Sequence, residues 1–346
     1  MMINQYNSQK ISVLSFVAIY FVMVIHANYD SSILKPVSSA LQNFTGTAGL
    51  SVAAVPLFYF ISGILFYRGV NTIGDCLPRM RKRVKSLLVP YVIWNIIFVS
   101  WYVVLEYIPG VSIFVNSDVV SNIDFYKPQD TLAYLFLKPA GFQLWFLRDL
   151  ILYVTLSPVI YVGIKKLPLL TYLTLLLLFG GINRCGVTYF VLGGILAIHY
   201  DFEVLKRLLT KPLVCACITI YLTGGLFASG IVSLPISVFN PYYQQVISVI
   251  GIMAIWGGYD MLVGEEDLIS NRMKKLMSYT FFIYLFHEPT FNIIKKLGLV
   301  MFGCNDLSLA LMYLINPIIM IIVAVWTGMI CQRFMPRLYS IATGGR

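Results

Sequence analysis

Residues 14–30 read LSFVAIYFVMVIHANYD, and this stretch decides how the rest of the chain is read. Phe16 to Ile25 and Ala27 are all hydrophobic, with a single imidazole, His26, set among them. An apolar run of this kind is a candidate membrane helix. An ionisable group on such a helix is costly and usually faces a cavity or pathway. Asp30 follows at i+4, one helical turn on and on the same face. A carboxylate there would fix the tautomer of the ring and stabilise its protonated form, as a general base requires. The competing reading is a histidine near the helix end that reaches interfacial water.

Composition points to lipid as the solvent. The 346 residues are 59% hydrophobic and 12% charged, with a mean hydropathy of +0.81, whereas a soluble chain carries about a quarter charged residues. No hydrophilic stretch is long enough to fold alone, so residues 1–346 read as one domain. The net charge of +10 is explained by basic cytoplasmic loops rather than by a nucleic-acid partner. Cysteines 76, 185, 215, 217, 304 and 331 are scattered and lack CxxC spacing, which supports neither a disulfide framework nor a metal site. Only Lys10 supplies charge before the first apolar run and no small-residue cleavage site follows, so that run reads as a retained helix rather than a signal peptide.

The expected fold is all-α: a polytopic bundle of about ten membrane helices. The apolar runs fall near 11–29, 50–69, 87–108, 143–164, 167–183, 186–200, 213–231, 243–263, 278–297 and 307–332, long enough to be candidate spans. Ten spans put both termini on one side. With the termini in the cytoplasm, 18 of the 25 lysines and arginines lie in inner segments, the bias expected of cytoplasmic loops. His26 then leans toward the outer half of the first helix. The longest outer loop, about 109–142, carries Asp118, Asp124 and Asp130 among Phe125, Tyr126 and Tyr134. Asn43-Phe44-Thr45 matches a glycosylation sequon. No internal repeat, heptad or inverted pair of broken helices is evident.

Four further places carry chemistry or packing. Ser62-Gly63, in the second run, suits close approach of another backbone. PRMRKRVKSLLVPY at 78–91 supplies Arg79, Arg81, Lys82, Arg83 and Lys85. These five cations can hold the phosphates of a nucleotide-like molecule, or set topology and meet anionic lipid headgroups. In QLWFLRDL at 143–150, Arg148 and Asp149 point in different directions on a helix, leaving Arg148 to face a cavity and meet a carboxylate or a developing oxyanion. Trp145 reads there as an interface anchor as much as a site residue. MSYTFFIYLFHEPTFNII at 277–294 places His287-Glu288-Pro289 at membrane depth. Proline frees the carbonyl four residues back, Leu285, and that group needs a polar partner. The plain alternative is a kink whose polar groups satisfy one another. His199, before Tyr200 and Asp201, reads as an ordinary interfacial histidine.

Taken in order, VMVIHANY, FYFISGILFY, PRMRKRVKSLLVPYVIWN, LWFLRDLILYVTLSP and SYTFFIYLFHEP resemble the acyltransferase 3 family of integral membrane O-acyltransferases. The likeness is to its short members, without an appended extracellular domain. The resemblance implies transfer of an acyl group, usually acetyl, from cytoplasmic acyl-CoA to a hydroxyl of a cell-surface glycan or lipid-linked sugar. It implies a bacterial inner membrane location. On that pattern His26 matches the first-helix catalytic histidine, and Arg79 to Lys85 match the region linked to acyl-CoA. Arg148 matches the basic residue of the WFL stretch, and His287 the late histidine. The chain departs from the pattern at Ser15, where the family commonly has a cation eleven residues before the histidine.

The expected mechanism has His26, steadied by Asp30, deprotonating the acceptor hydroxyl, while Arg148 or a protonated His287 stabilises the oxyanion. A covalent acyl-histidine relay is a variant of it. A transporter or flippase using His26, Arg148 and His287 as substrate or proton-relay groups is the alternative. A lipid- or cofactor-binding sensor with a degenerate site is a third reading, prompted by Ser15.

Overall fold

The computed structural model describes residues 4–106, 108, 137–182, 185–232, 237–266 and 269–345. The acidic and aromatic loop residues from Asp118 to Tyr134 lie outside the described residues. Among those described, every regular element is helical. The chain forms α1 (Gln5–His26), α2 (Pro36–Thr45), α3 (Ala54–Tyr67), α4 (Cys76–Arg83), α5 (Val89–Glu106), α6 (Trp145–Thr155), α7 (Ser157–Lys166) and α8 (Pro168–Phe179). It continues with α9 (Val187–His199), α10 (Phe202–Leu208), α11 (Lys211–Ala228), α12 (Pro241–Leu262), α13 (Asn271–Ser278), α14 (Thr280–Phe302), α15 (Asp306–Phe334) and α16 (Pro336–Ala342). A π-helical turn, Val84–Leu88, joins α4 to α5.

Local chemistry sets many of the boundaries. The side chains of Asn4, Ser270 and Asn305 accept hydrogen bonds from backbone amides at the starts of α1, α13 and α15, satisfying donors that a helix start leaves free. Gly303, at φ +70°, ends α14. Pro158, in the first turn of α7, has no amide to offer the carbonyl of Val154. There the chain bends by 63° between α6 and α7.

Six helical stretches are long and apolar enough to cross a membrane, and eight if the bent pairs α6–α7 and α9–α10 each count as one span. The expected ten is therefore supported only to six to eight. The counterparts of the fifth and ninth expected spans, α8 and α14, fall outside that set. The 12 residues of α8 rise only about 18 Å against a hydrocarbon core of about 30 Å. The helical path of α14 is interrupted at Glu288.

At the centre, α1 packs against α3, α12, α13, α14 and α15. The tightest seam is between α3 and α9. A Cβ on Gly63 would sit 2.1 Å from the Phe190 carbonyl oxygen, and one on Gly193 would sit 2.1 Å from that of Phe60. The two backbones touch through reciprocal glycines, which accounts for Ser62-Gly63 as the packing element that the sequence suggests. Ser62, next to Gly63, lines a cavity. Gly193→Val is expected to destabilise the protein by about 1–3 kcal/mol or more, the usual cost of overpacking. Gly258→Ala, where added bulk meets open space, is expected to be neutral or slightly stabilising. Thermal unfolding in detergent compares the two.

Candidate active site

The helix α1 stops at His26, and the Ala27 amide makes its closing bonds to the carbonyls of Met23 and Val24. Asp30 therefore does not lie one turn further along the same helix. Its exposed carboxylate accepts from the Ser32 amide at 2.8 Å, and hydrogen bonding from Ser32 holds its carboxyl below the usual aspartate value. The carboxylate at His26 is Glu288, whose Oε1 lies 3.3 Å from His26 Nδ1. The expected Asp30 pairing is corrected, since i+4 neighbours meet only where the helix continues.

Glu288 reaches His26 because α14 breaks there. The residue before a proline is pushed out of helical geometry, and Glu288 is extended, at φ −104° and ψ 139°. Leu285, the residue whose carbonyl Pro289 leaves without a helical donor, accepts from Gln143 Nε2 at 3.0 Å. The same nitrogen donates to the Glu288 carbonyl at 3.1 Å. The other Glu288 oxygen, Oε2, accepts from Asn292 at 2.8 Å.

His287 is fully buried, with its ring 4.7 Å from that of His26, centroid to centroid, in an edge-on arrangement. Its Nδ1 lies 2.7 Å from the Tyr284 carbonyl. A carbonyl only accepts, so Nδ1 carries the proton and the neutral ring presents a lone pair at Nε2. The expected oxyanion contact needs a donor, which this tautomer lacks at Nε2 until the ring is protonated.

A cavity of about 710 Å³ runs along α1 past both histidines. Its wall on α1 includes Ile11, Ser15, Val22 and His26, one face of a helix by their spacing. Ser12, Ser15 and Arg83 line one end, and His26, His287 and Gln143 the other. Ser15 and His26 are about 16 Å apart along the helix axis. At the Arg83 end the five expected cations divide. Arg79 and Arg83 share a face of α4 at i+4 spacing. Arg79 Nη1 donates to the Phe66 carbonyl at 2.8 Å, and Arg83 feels the charges of Arg68 and Arg79. Arg81, Lys82 and Lys85 are exposed. Among the described residues, Arg83 is the cation on the cavity wall. Ser15 spends its hydroxyl on the Ile11 carbonyl at 2.7 Å. Lys10 is buried elsewhere, 2.6 Å from Asp260 and 4.3 Å from the Trp256 ring centre.

The acyltransferase-domain family matches residues 9–333. The chain belongs to this family. Its apolar helices make it a multi-pass membrane acyltransferase. It is 25% identical over 308 residues to the succinoglycan biosynthesis protein ExoH of Rhizobium meliloti, covering 84% of this chain and 79% of that protein. No solved structure matches the chain.

Arg148 of the acyltransferase is also placed differently from its expectation. Arg148 folds back on its neighbour, with Nε at 2.8 Å and Nη2 at 2.7 Å from Asp149 Oδ1. Its Nη1 donates to the Leu137 carbonyl at 2.8 Å. Adjacent residues do point apart on a helix, but a guanidinium is long enough to curl across that angle, and Arg148 does not line the cavity. Two residues gain a place that the sequence reading did not give them: Glu288, seen only as part of a polar break, and Gln143. The signal for Gln143 was available, because an uncharged amide entering an apolar span also needs a partner. Glu288→Gln is expected to lower acyl transfer by about 10²-fold, within the range for general-base assistance, and Asp30→Asn to leave it within about twofold because its partner is Ser32. Initial rates of the two variants side by side check this.

Proposed function

We propose that the protein moves an acyl group, acetyl by the resemblance, from acyl-CoA to a hydroxyl of a cell-envelope glycan or lipid-linked sugar. The single observation that carries the reading is the cavity, which joins Arg83 at one end to His26 at the other. The lysine and arginine distribution supports termini in the cytoplasm, and the family resemblance supports a bacterial plasma membrane. The Arg83 end then faces the donor's compartment. ExoH's part in succinoglycan biosynthesis supports a glycan acceptor.

In this reading Arg83, backed by Arg79 and Arg68, holds the donor's phosphates, a task suited to guanidinium groups. Exposed Arg81, Lys82 and Lys85 meet anionic lipid headgroups. Arg83 stands in for the cation that the family commonly has at the position of Ser15. His26 has Nδ1 turned to Glu288 and Nε2 left for the acceptor. Nε2 takes the hydroxyl proton as the oxygen bonds to the acyl carbon, and the carbon–sulfur bond breaks. The imidazolium then returns the proton to the departing thiolate. Glu288 stabilises the imidazolium between these steps. A continuous cavity favours direct transfer over an acyl-histidine relay, because donor and acceptor meet at one imidazole.

Vesicles carrying the wild type are expected to transfer label from acetyl-CoA into membrane glycan. His26→Ala is expected to lose about 10²–10⁴-fold. Arg83→Ala is expected to raise the acetyl-CoA KM about tenfold or more, while Lys82→Ala changes it about twofold at most. Full transfer by His26→Ala would defeat the reading, and proton-driven flux without CoA release would select a transporter.

A further inference from the structure

Two buried atoms at the His26 end of the cavity have no hydrogen-bond partner among the described residues: Gln143 Oε1 and His287 Nε2. Both side chains line the cavity, and both are buried, at 3% and 0% exposure. Their chemical character is fixed by their other halves. Gln143 Nε2 donates to two carbonyls, Leu285 and Glu288, so the amide cannot be flipped and the atom left over is its carbonyl oxygen. His287 Nδ1 faces the Tyr284 carbonyl, so the atom left over in the neutral ring is a lone pair. Both orphans are acceptors.

Leaving buried acceptors unmatched is unfavourable, and native structures rarely do so without a functional reason. What completes this pair must bring hydrogen-bond donors. The reacting end of an acyl donor, a thioester, offers only acceptors. A hydroxyl offers a donor. His26, the base of the proposed reaction, lies against His287 with ring centres 4.7 Å apart, so a group bound to these atoms sits beside the reacting one.

We infer that Gln143 Oε1 and His287 Nε2 form the acceptor subsite, and that each accepts a hydrogen bond from a hydroxyl neighbouring the one that His26 deprotonates. This deepens the proposed function and rests on it. The substrate class that it specifies is a polyol such as a sugar with neighbouring hydroxyls, in preference to a lone alcohol. Neither atom takes part in bond making: each accepts a hydrogen bond and orients the acceptor, so the effect belongs to acceptor binding and leaves the donor alone.

The test uses the full chain in lipid nanodiscs, with labelled acetyl-CoA and envelope glycolipid extract as the source of acceptor. Gln143→Met and His287→Asn are each expected to raise the amount of extract giving half-maximal rate by about five- to tenfold, the worth of one hydrogen bond. Half-saturation by acetyl-CoA stays within about twofold, because donor binding does not involve these atoms. Asparagine at 287 keeps a donor for the Tyr284 carbonyl and removes only the outer nitrogen. His287→Gln, which restores a polar atom near the Nε2 position, is expected to recover part of the loss. Gln143→Met also gives up the two bonds to α14, so if it fails to fold the two His287 variants decide. An unchanged response to extract, or donor and acceptor half-saturation moving together, would overturn the inference. Absence of CoA release by the wild type would instead remove the proposed function and this subsite with it.

Discussion

The site depends on a constraint of the hydrocarbon interior: no backbone carbonyl can be left without a donor. Pro289 interrupts α14, and the resulting gap is closed from another part of the chain by one amide nitrogen, that of Gln143. Because Gln143 holds both Leu285 and Glu288, the broken turn is kept open in one geometry. That geometry points the Glu288 carboxylate at His26 and brings His287 against the same ring. Removing the proline would restore the helix and turn Glu288 elsewhere; removing the amide would leave two carbonyls orphaned. The pairing of His26 with Glu288 is a by-product of satisfying a break.

A second balance operates at the far end of the cavity. Ser15 lines the cavity but folds its hydroxyl onto its own backbone. Arg83 reaches the same cavity from α4. The π-helical turn that follows it spans Val84–Leu88, and such turns are frequent at functional sites. It carries Leu87 onto the cavity wall beside Arg83. Lys10, the nearest cation along α1, is held in a buried ion pair with Asp260 and is unavailable. The cation on the cavity wall is thus supplied from α4 and not from α1.

What the sequence made legible follows from this. Helical content, the facing of His26 onto a cavity, and the need of Leu285 for a partner are all readable, because each rests on the cost of polar groups in lipid. Glycine at 63 was readable as a close approach. The carboxylate partner was not: Asp30 has the right spacing, but spacing assumes that the helix continues, and α1 ends at His26. Arg148 was misread because direction along a helix does not limit a long side chain. The count of spans is supported only to six to eight, because an apolar run reveals hydrophobicity and not whether the helix within it stays straight or long enough. Gln143 was passed over because a neutral amide carries no charge to draw attention.

The cavity also has to solve a problem unrelated to chemistry. A passage that connects an arginine end to a histidine end of a membrane protein is a potential leak for protons and ions. Its walls include Val22, Leu65, Leu150 and Val154. Apolar walls of this kind shed water and, where the passage closes on them, block ions by dewetting, yet an acyl chain on a thin, uncharged arm is at home there. The same side chains that admit the substrate can thus keep the membrane electrically sealed between turnovers.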